Sequence, residues 1–421
     1  MVGQTLIQKI LAKASGKETE GVVENEIVFV SPHRILSHDN SAAISKTFYK
    51  MVGPNGKIWG PEKIFIALDH AVPPPDAVKA GNHTVIRKFV KDQGIKYFYE
   101  GGTGICHEVL PAKGHVPPNV VILGSDSHTT THGAFGAAGI PIGRTETASV
   151  WAIGETWLKV PESIKIILDG SLPKGVYAKD VILEIIRQIT AAGATYNSIE
   201  FYGSSVKKLS MSERMTLSNL TAEMGAKAGI FPVDDVTDEW NKQFGFQYDR
   251  ITADEDAKYI KTLELEVSNL TPRIAKPHKV DNVVPIEELG KTTIDVALIG
   301  TCTNGRLDDL EIAANILKDK TIHPNIRLLV YPASQEILLQ ATREGILEIL
   351  VAAGGQIGVP ACGPCLGAYG GCIASGEKAI SSANRNFKGR MGSKEDTGIY
   401  LASPATVAKS ALAGYITAEE S

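Results

Sequence analysis

Short apolar runs, each followed by a glycine or polar turn and then a helix-like stretch, recur along the first 170 residues. The runs at 63–68 (KIFIAL), 95–100 (IKYFYE), 119–124 (NVVILG) and 163–168 (SIKIIL) predict strands of a mainly parallel sheet. Strands covered on both faces read as continuous apolar runs, whereas half-exposed strands alternate. The pattern means α/β layers, and ligands of such sheets collect beyond the carboxyl ends of the strands. From about residue 170 a second unit begins, with an amphipathic helix in VYAKDVILEIIRQI and a strand in NSIEFYG. A longer helix is expected from Met211 to about Ala228, capped by Ser210 with Glu213 and ended by Gly229. The proline-bearing stretch 270–285 reads as a connection between domains. Strand, turn and helix then alternate again in TIDVALIG, TCTNGRLDDLEIAANIL, IRLLVYP and the segment that follows. The expected organisation is therefore three α/β domains, over residues 1–165, 166–280 and 281–421.

Composition narrows the function classes. Hydrophobic residues at 43% and charged residues at 21% of 421 are those of a folded globular protein. The net charge of −4 argues against a protein built to grip nucleic acid by its phosphates. No apolar run approaches the roughly 18 residues of a membrane helix, and the N-terminus reads as a short amphipathic helix without a signal-peptide core, so a cytoplasmic location is expected. Five cysteines, an odd number in a long chain of this kind, favour metal binding or redox chemistry over a disulfide framework.

Three of those cysteines sit on glycine-rich turns: Cys302 in GTCTNGR directly after an expected strand, and Cys362 and Cys365 in PACGPCLGAYGG. A CxxC pair alone serves zinc sites, iron–sulfur clusters and redox pairs alike, and small buried cysteines need no function at all. Three thiolates on a four-iron cluster would leave one iron open as a Lewis acid for a hydroxyl and a carboxylate. Cys106 and Cys372 are read as buried or incidental. A second signal comes from acidic and imidazole residues after strands of the first unit: Asp69 with His70, His107, and Asp126 with Ser127 and His128. Singly each is as well explained as a cap or turn residue, but together they converge on one sheet edge, where carboxylate–imidazole pairs can hold a proton near neutral pH. Asn219 and Glu223, four residues apart, share a helix face that would ordinarily be solvated. Arg385 and Arg390, in NRNFKGR, suit bidentate capture of carboxylates, or else form a solvated surface turn.

The ordered set DH, GSDSHT, NLTAEMGA, GTCTNGR, CGPC and NRNFKGR, spread over about 320 residues, resembles the aconitase superfamily. The resemblance covers essentially the whole chain and points to the branch of large subunits, that of isopropylmalate dehydratase, homoaconitase and 2,3-dimethylmalate dehydratase. It implies three aconitase-type domains around a central cleft, with the swivel domain absent from this chain and carried by a small subunit. It implies a [4Fe-4S] cluster on Cys302, Cys362 and Cys365, with Asn304 and Asn384 in the cluster environment. By the same matching, Asp69, His70, His107, Asp126, His128 and Glu223 correspond to the residues around the leaving hydroxyl. Ser127, Asn219, Arg385 and Arg390 correspond to substrate binders. The implied activity is a hydro-lyase acting on a 2-hydroxy di- or tricarboxylic acid, with isopropylmalate isomerisation in leucine synthesis first among the candidates, and with neither nucleic acid nor membrane as partner. RNA binding by a cluster-free form and a zinc-stabilised structural subunit are the readings from other classes. The chain departs from the family pattern at Asn40, which follows His38-Asp39 where a threonine-containing version is expected, and at Thr301, where serine is usual.

Overall fold

The structure, a computed structural model, describes residues 3–367 and 370–419. Among them lie three sheets that run parallel through their centres. The first orders Tyr97–Tyr99, Ile64–Ala67, Arg34–Ser37, Val121–Gly124 and Ala138–Pro141, all parallel. Three of these are expected from their apolar runs. Arg34–Ser37, although central, has a single pair of apolar residues, and Ala138–Pro141 carries glycine and proline, so neither stands out from periodicity.

Ser163–Asp169, expected beside those strands, belongs instead to a second parallel sheet, ordered Ala228–Ile230, Ser198–Tyr202, Ser163–Asp169 and Lys261–Glu266. An apolar run specifies burial and not a partner. The third sheet has seven strands in the order Val283–Pro285, Arg273–Ala275, Gly398–Leu401, Lys378–Ser381, Val296–Gly300, Arg327–Tyr331 and Gly355–Ile357. It is parallel except at the Arg273–Ala275 and Val283–Pro285 edge. The stretch expected to be a connector is thus a hairpin on an edge, the place where proline is tolerated in a sheet. The expected division at 165/166 falls inside Ser163–Asp169, and that at 280/281 falls within this hairpin.

The helix opened by Ser210 begins where expected, with the Glu213 amide donating to Ser210 Oγ at 3.2 Å and the Ser210 amide to Glu213 Oε2 at 2.8 Å. It ends earlier than expected, at Leu220, and a 3-10 turn Thr221–Met224 leads to Gly225, whose left-handed φ of 82° ends the element. Gly229 lies in the next strand. Its carbonyl oxygen would lie 1.8 Å from a Cβ on Gly133, so glycine at 133 lets the Ser127–Phe135 segment pass directly over that strand. This contact draws the carboxyl end of the first sheet onto the second.

Ala178–Ile189 packs between the second and third sheets. Val181, Ile182, Leu183, Ile185, Ile186 and Ile189 are all buried, each burial worth roughly 1.5–3 kcal/mol. Among the described residues no helix is long and apolar enough to cross a membrane.

Candidate active site at a cysteine-lined cavity

Each of the three cysteines is presented by a local device. Cys302 follows Val296–Gly300 on a single helical turn, Thr301–Asn304. Gly300 has φ 135°, and a Cβ there would lie 2.2 Å from the Tyr331 carbonyl oxygen, so the turn requires glycine. Thr301 adopts φ 69°, an unfavourable conformation for a β-branched residue, at the position immediately before the sulfur. Cys362 is tied to the first sheet, its amide donating to the Asp69 carbonyl at 2.9 Å. Cys365 lies on the 3-10 turn Gly363–Leu366.

These three line one cavity together with His70, His107, Asp126, His128, Asn384, Arg385 and Arg390. All three are free and buried. Burial pushes the Cys302 thiol up to about 12, the neighbouring Cys365 adding to the effect, and burial likewise raises Cys362. Donors gather at two of the sulfurs, although Asn384 Oδ1 also accepts from Cys365 Sγ at 3.5 Å. The side-chain amides of Asn219 and Asn384 point at Cys302 Sγ from 3.4 and 3.3 Å, and an Arg390 terminal nitrogen lies 3.8 Å from Cys365 Sγ. Donors gathered on buried sulfur favour the thiolate, which in such a setting calls for a cation.

Asp126 is the hub of the acid–base groups. Its Oδ1 lies 2.7 Å from His107 Nε2 and accepts from the His128 amide at 2.8 Å, while its Oδ2 is 3.4 Å from His70 Nε2. Burial works against its charge, but the contacts to His107, His128 and His70 outweigh that and hold Asp126 well below the usual carboxylate range. His70 Nδ1 is 2.6 Å from Asp69 Oδ1, and Asp69 Oδ2 accepts from the Cys106 amide at 2.7 Å. Burial opposes protonation of His70, yet Cys362, Asp69 and Asp126 together raise it well above the ordinary imidazole value. Asp69 therefore stands behind His70, fully buried, and orients it.

Glu223, whose spacing from Asn219 would by itself suit a solvated face and which the resemblance places around the leaving hydroxyl, is buried. It accepts from Arg385 Nε at 2.7 Å and lies 3.0 Å from His128 Nε2. Burial opposes its ionisation, but His128 and Arg385 prevail and keep it below the usual range. A terminal nitrogen of Arg385 donates to Ser127 Oγ at 2.9 Å, so Arg385 reaches the cavity already braced on two sides. Arg390 keeps a buried Nε without a partner among the described residues. Asn219 bridges Thr131, Thr303 and Cys302. Asn304, on the same helical turn as Cys302, does not line the cavity: its amide donates to Asp309 at 2.8 Å.

Other residues of the site carry weaker sequence signals. Asp39 Oδ2 accepts from the amides of Asp69 (2.9 Å) and His70 (2.8 Å), and its Oδ1 from that of Ala71 (3.0 Å) and from His83 Nε2 (2.7 Å). His38 stacks on His70 with ring centroids 3.8 Å apart. Both follow the strand Arg34–Ser37, and the rule that flags Asp69 and Asp126 would have flagged them had that strand been visible. Lys179, fully buried, donates to the carbonyls of Ser382 and Ala383 at 2.6 Å each and so anchors the segment bearing Asn384 and Arg385. Burial lowers its pKa to about 7. A lysine inside an amphipathic helix offers no local sign of that task.

Sequence comparison bears on the same constellation. The chain matches the Aconitase family (aconitate hydratase) over residues 8–414. It is 45% identical over 417 residues, 99% of each chain, to "3-isopropylmalate dehydratase large subunit 1" of Methanopyrus kandleri. It is 44% identical over 421 residues, 100% of this chain and 99% of the other, to "3-isopropylmalate dehydratase large subunit" of Clostridium kluyveri. "Probable methanogen homoaconitase large subunit" of Methanosarcina mazei is 45% identical over 383 residues, 91% of this chain and 97% of its own. With its motifs converging on one cavity and the match running nearly end to end, the chain belongs to the aconitase family.

Proposed function

We propose that this chain is the large, cluster-bearing subunit of a 3-isopropylmalate dehydratase, interconverting 2-isopropylmalate and 3-isopropylmalate by dehydration and rehydration. The observation that carries the reading is the single cavity in which three buried cysteines face an imidazole–carboxylate network and two arginines. Cys302, Cys362 and Cys365 would hold a [4Fe-4S] cluster, and the amide and guanidinium donors around their sulfurs fit that charge. When bound, such a cluster supplies an iron with an open position, a Lewis acid for the hydroxyl and an adjacent carboxylate.

The protein's own groups do the rest. Arg385 and Arg390 take substrate carboxylates, a planar fork that lysine does not offer. Asp126 holds His107 Nε2 and faces His70 Nε2, so a proton shared within this network at the cavity wall is available to a departing hydroxyl. Asp69 holds the far nitrogen of His70, and Glu223 holds His128 and Arg385 in place. The family relatives named as large subunits support a separate small subunit that completes the site. A homoaconitase large subunit is the second reading, supported by the M. mazei relative at the same identity.

The test is reconstitution. Anaerobically purified chain should contain iron and acid-labile sulfide in equal amounts, should lose both on replacement of Cys302, Cys362 or Cys365 by serine, and should keep both in Cys106→Ala and Cys372→Ser. Mixed with an isopropylmalate-type or a homoaconitate-type small subunit, it should turn over the matching acid. Zinc in place of iron, or full turnover by this chain alone, would overturn the reading.

A further inference from the structure

Beside the cysteine cavity, and sharing the His70 and Leu366 walls with it, lies a second and larger cavity with an empty volume of ≈ 750 Å³. Its rim carries Lys46, Lys79 and Arg144, contributed by three separate helices, Ser41–Val52, Ala77–Gln93 and Arg144–Ile153. None of the three side chains makes a hydrogen bond or ion pair among the described residues. Asp39 is the one carboxylate in the lining, and its two oxygens are already taken by three backbone amides and His83. With three cations against one carboxylate in its lining, the cavity concentrates an excess of positive charge on a chain whose net charge is −4.

That contrast has a consequence for any polyanionic substrate. Far from the surface the net charge repels a di- or tricarboxylate, and within a Debye length of the rim, about 8–10 Å at ordinary ionic strength, the three cations attract it. Unpaired cations around a concave opening focus the field into it, toward the wall of His70 and Leu366 that it shares with the cysteine cavity. We propose that this second cavity is an anion-receiving vestibule, in which Lys46, Lys79 and Arg144 collect the carboxylates of the acid substrate and deliver it past His70 to the cysteine cavity. The proposal rests on the reading of the site as one that takes a polycarboxylic acid. The cations act before the chemistry, so their contribution belongs in capture and not in the turnover of bound substrate.

The experiment compares the reconstituted wild-type complex with one carrying Lys46→Gln, Lys79→Gln and Arg144→Gln. At about 20 mM ionic strength the variant should show a KM raised by roughly tenfold, with kcat changed by less than about twofold. At about 0.3 M salt the gap should narrow to within about threefold, because screening removes the attraction from the wild type as well. An unchanged KM at low salt, or a fall in kcat with KM unmoved, overturns the proposal. So does a matching loss of affinity for the small subunit, measured by titration, which would make the rim a subunit-docking surface. Equilibrium binding of succinate and tricarballylate to the two proteins reads the vestibule without any turnover. Weaker binding by the variant supports it and equal binding overturns it, even if the wild-type complex proves to act on none of the expected acids.

Discussion

Replacing Asp39 by asparagine isolates the group on which the Asp69–His70 turn depends. The carboxylate accepts four hydrogen bonds, two on each oxygen, and three of them come from consecutive backbone amides that have no other partner there. An asparagine keeps one oxygen and turns an NH2 toward the donors formerly served by the other, so two of the four contacts are lost and like meets like. Hydrogen bonds to a charged acceptor contribute about 1.5–3 kcal/mol each, which places the penalty for two at about 3–6 kcal/mol, a large part of a typical domain's net stability.

The carboxylate's own titration provides the control. Burial opposes its ionisation, but His83, His70, His38 and the backbone amides hold its folded value far below the ordinary one. A depressed carboxylate contributes stability that is complete above its unfolded value near 4 and is lost as the pH falls below that. The wild-type advantage should therefore be constant from pH 7 to pH 5 and decline by about 1.4 kcal/mol per pH unit below about 4. Urea unfolding of the cluster-free chain, followed by circular dichroism, should show the midpoint of Asp39→Asn lower by about 1 M or more at pH 7. A midpoint within about 0.2 M of wild type, or a penalty that does not shrink in acid, would refute the assignment of Asp39 as the anchor of the turn.

Arg385→Lys and Arg390→Lys should each lower kcat/KM at least roughly tenfold, about 1.4 kcal/mol, with the visible spectrum of the cluster unchanged; for Arg385 the loss includes its braces to Glu223 and Ser127. Asn384→Leu removes a donor from Cys302 Sγ and should speed bleaching of the cluster in air by about tenfold, read at the absorbance of the iron–sulfur chromophore. Ser210→Ala should lower the unfolding free energy by about 1 kcal/mol without altering KM, since it removes only the cap of the helix that ends at Leu220.

The features legible from the chain's own residues are local. Continuous apolar runs mark Ile64–Ala67, Val121–Gly124, Val296–Gly300 and the Leu328–Val330 centre of Arg327–Tyr331, because burial on both faces leaves no polar position there. The Ser210 and Glu213 cap is legible because both partners lie within one turn. The cysteines, the arginine loop and the strand-end acids stand out by residue type and by the glycines around them. The remaining features come from contacts between distant parts of the chain. Arg34–Ser37 exists as a strand only through the ladders on either side of it, and Ala228–Ile230, at an edge, through its one ladder to Ser198–Tyr202, so their own four and three residues carry little signal. Ser163–Asp169 has the run of a first-sheet strand and the partners of a second-sheet one. Glu223 reads as the far end of a helix but lies on the 3-10 turn after it, buried where His128 of the Ser127–Phe135 segment meets it, and Lys179 reaches Ser382 and Ala383 across more than 200 residues of chain. Contacts between residues so far apart depend on the packing free energy of the whole molecule, which no stretch of sequence short enough to show a period contains.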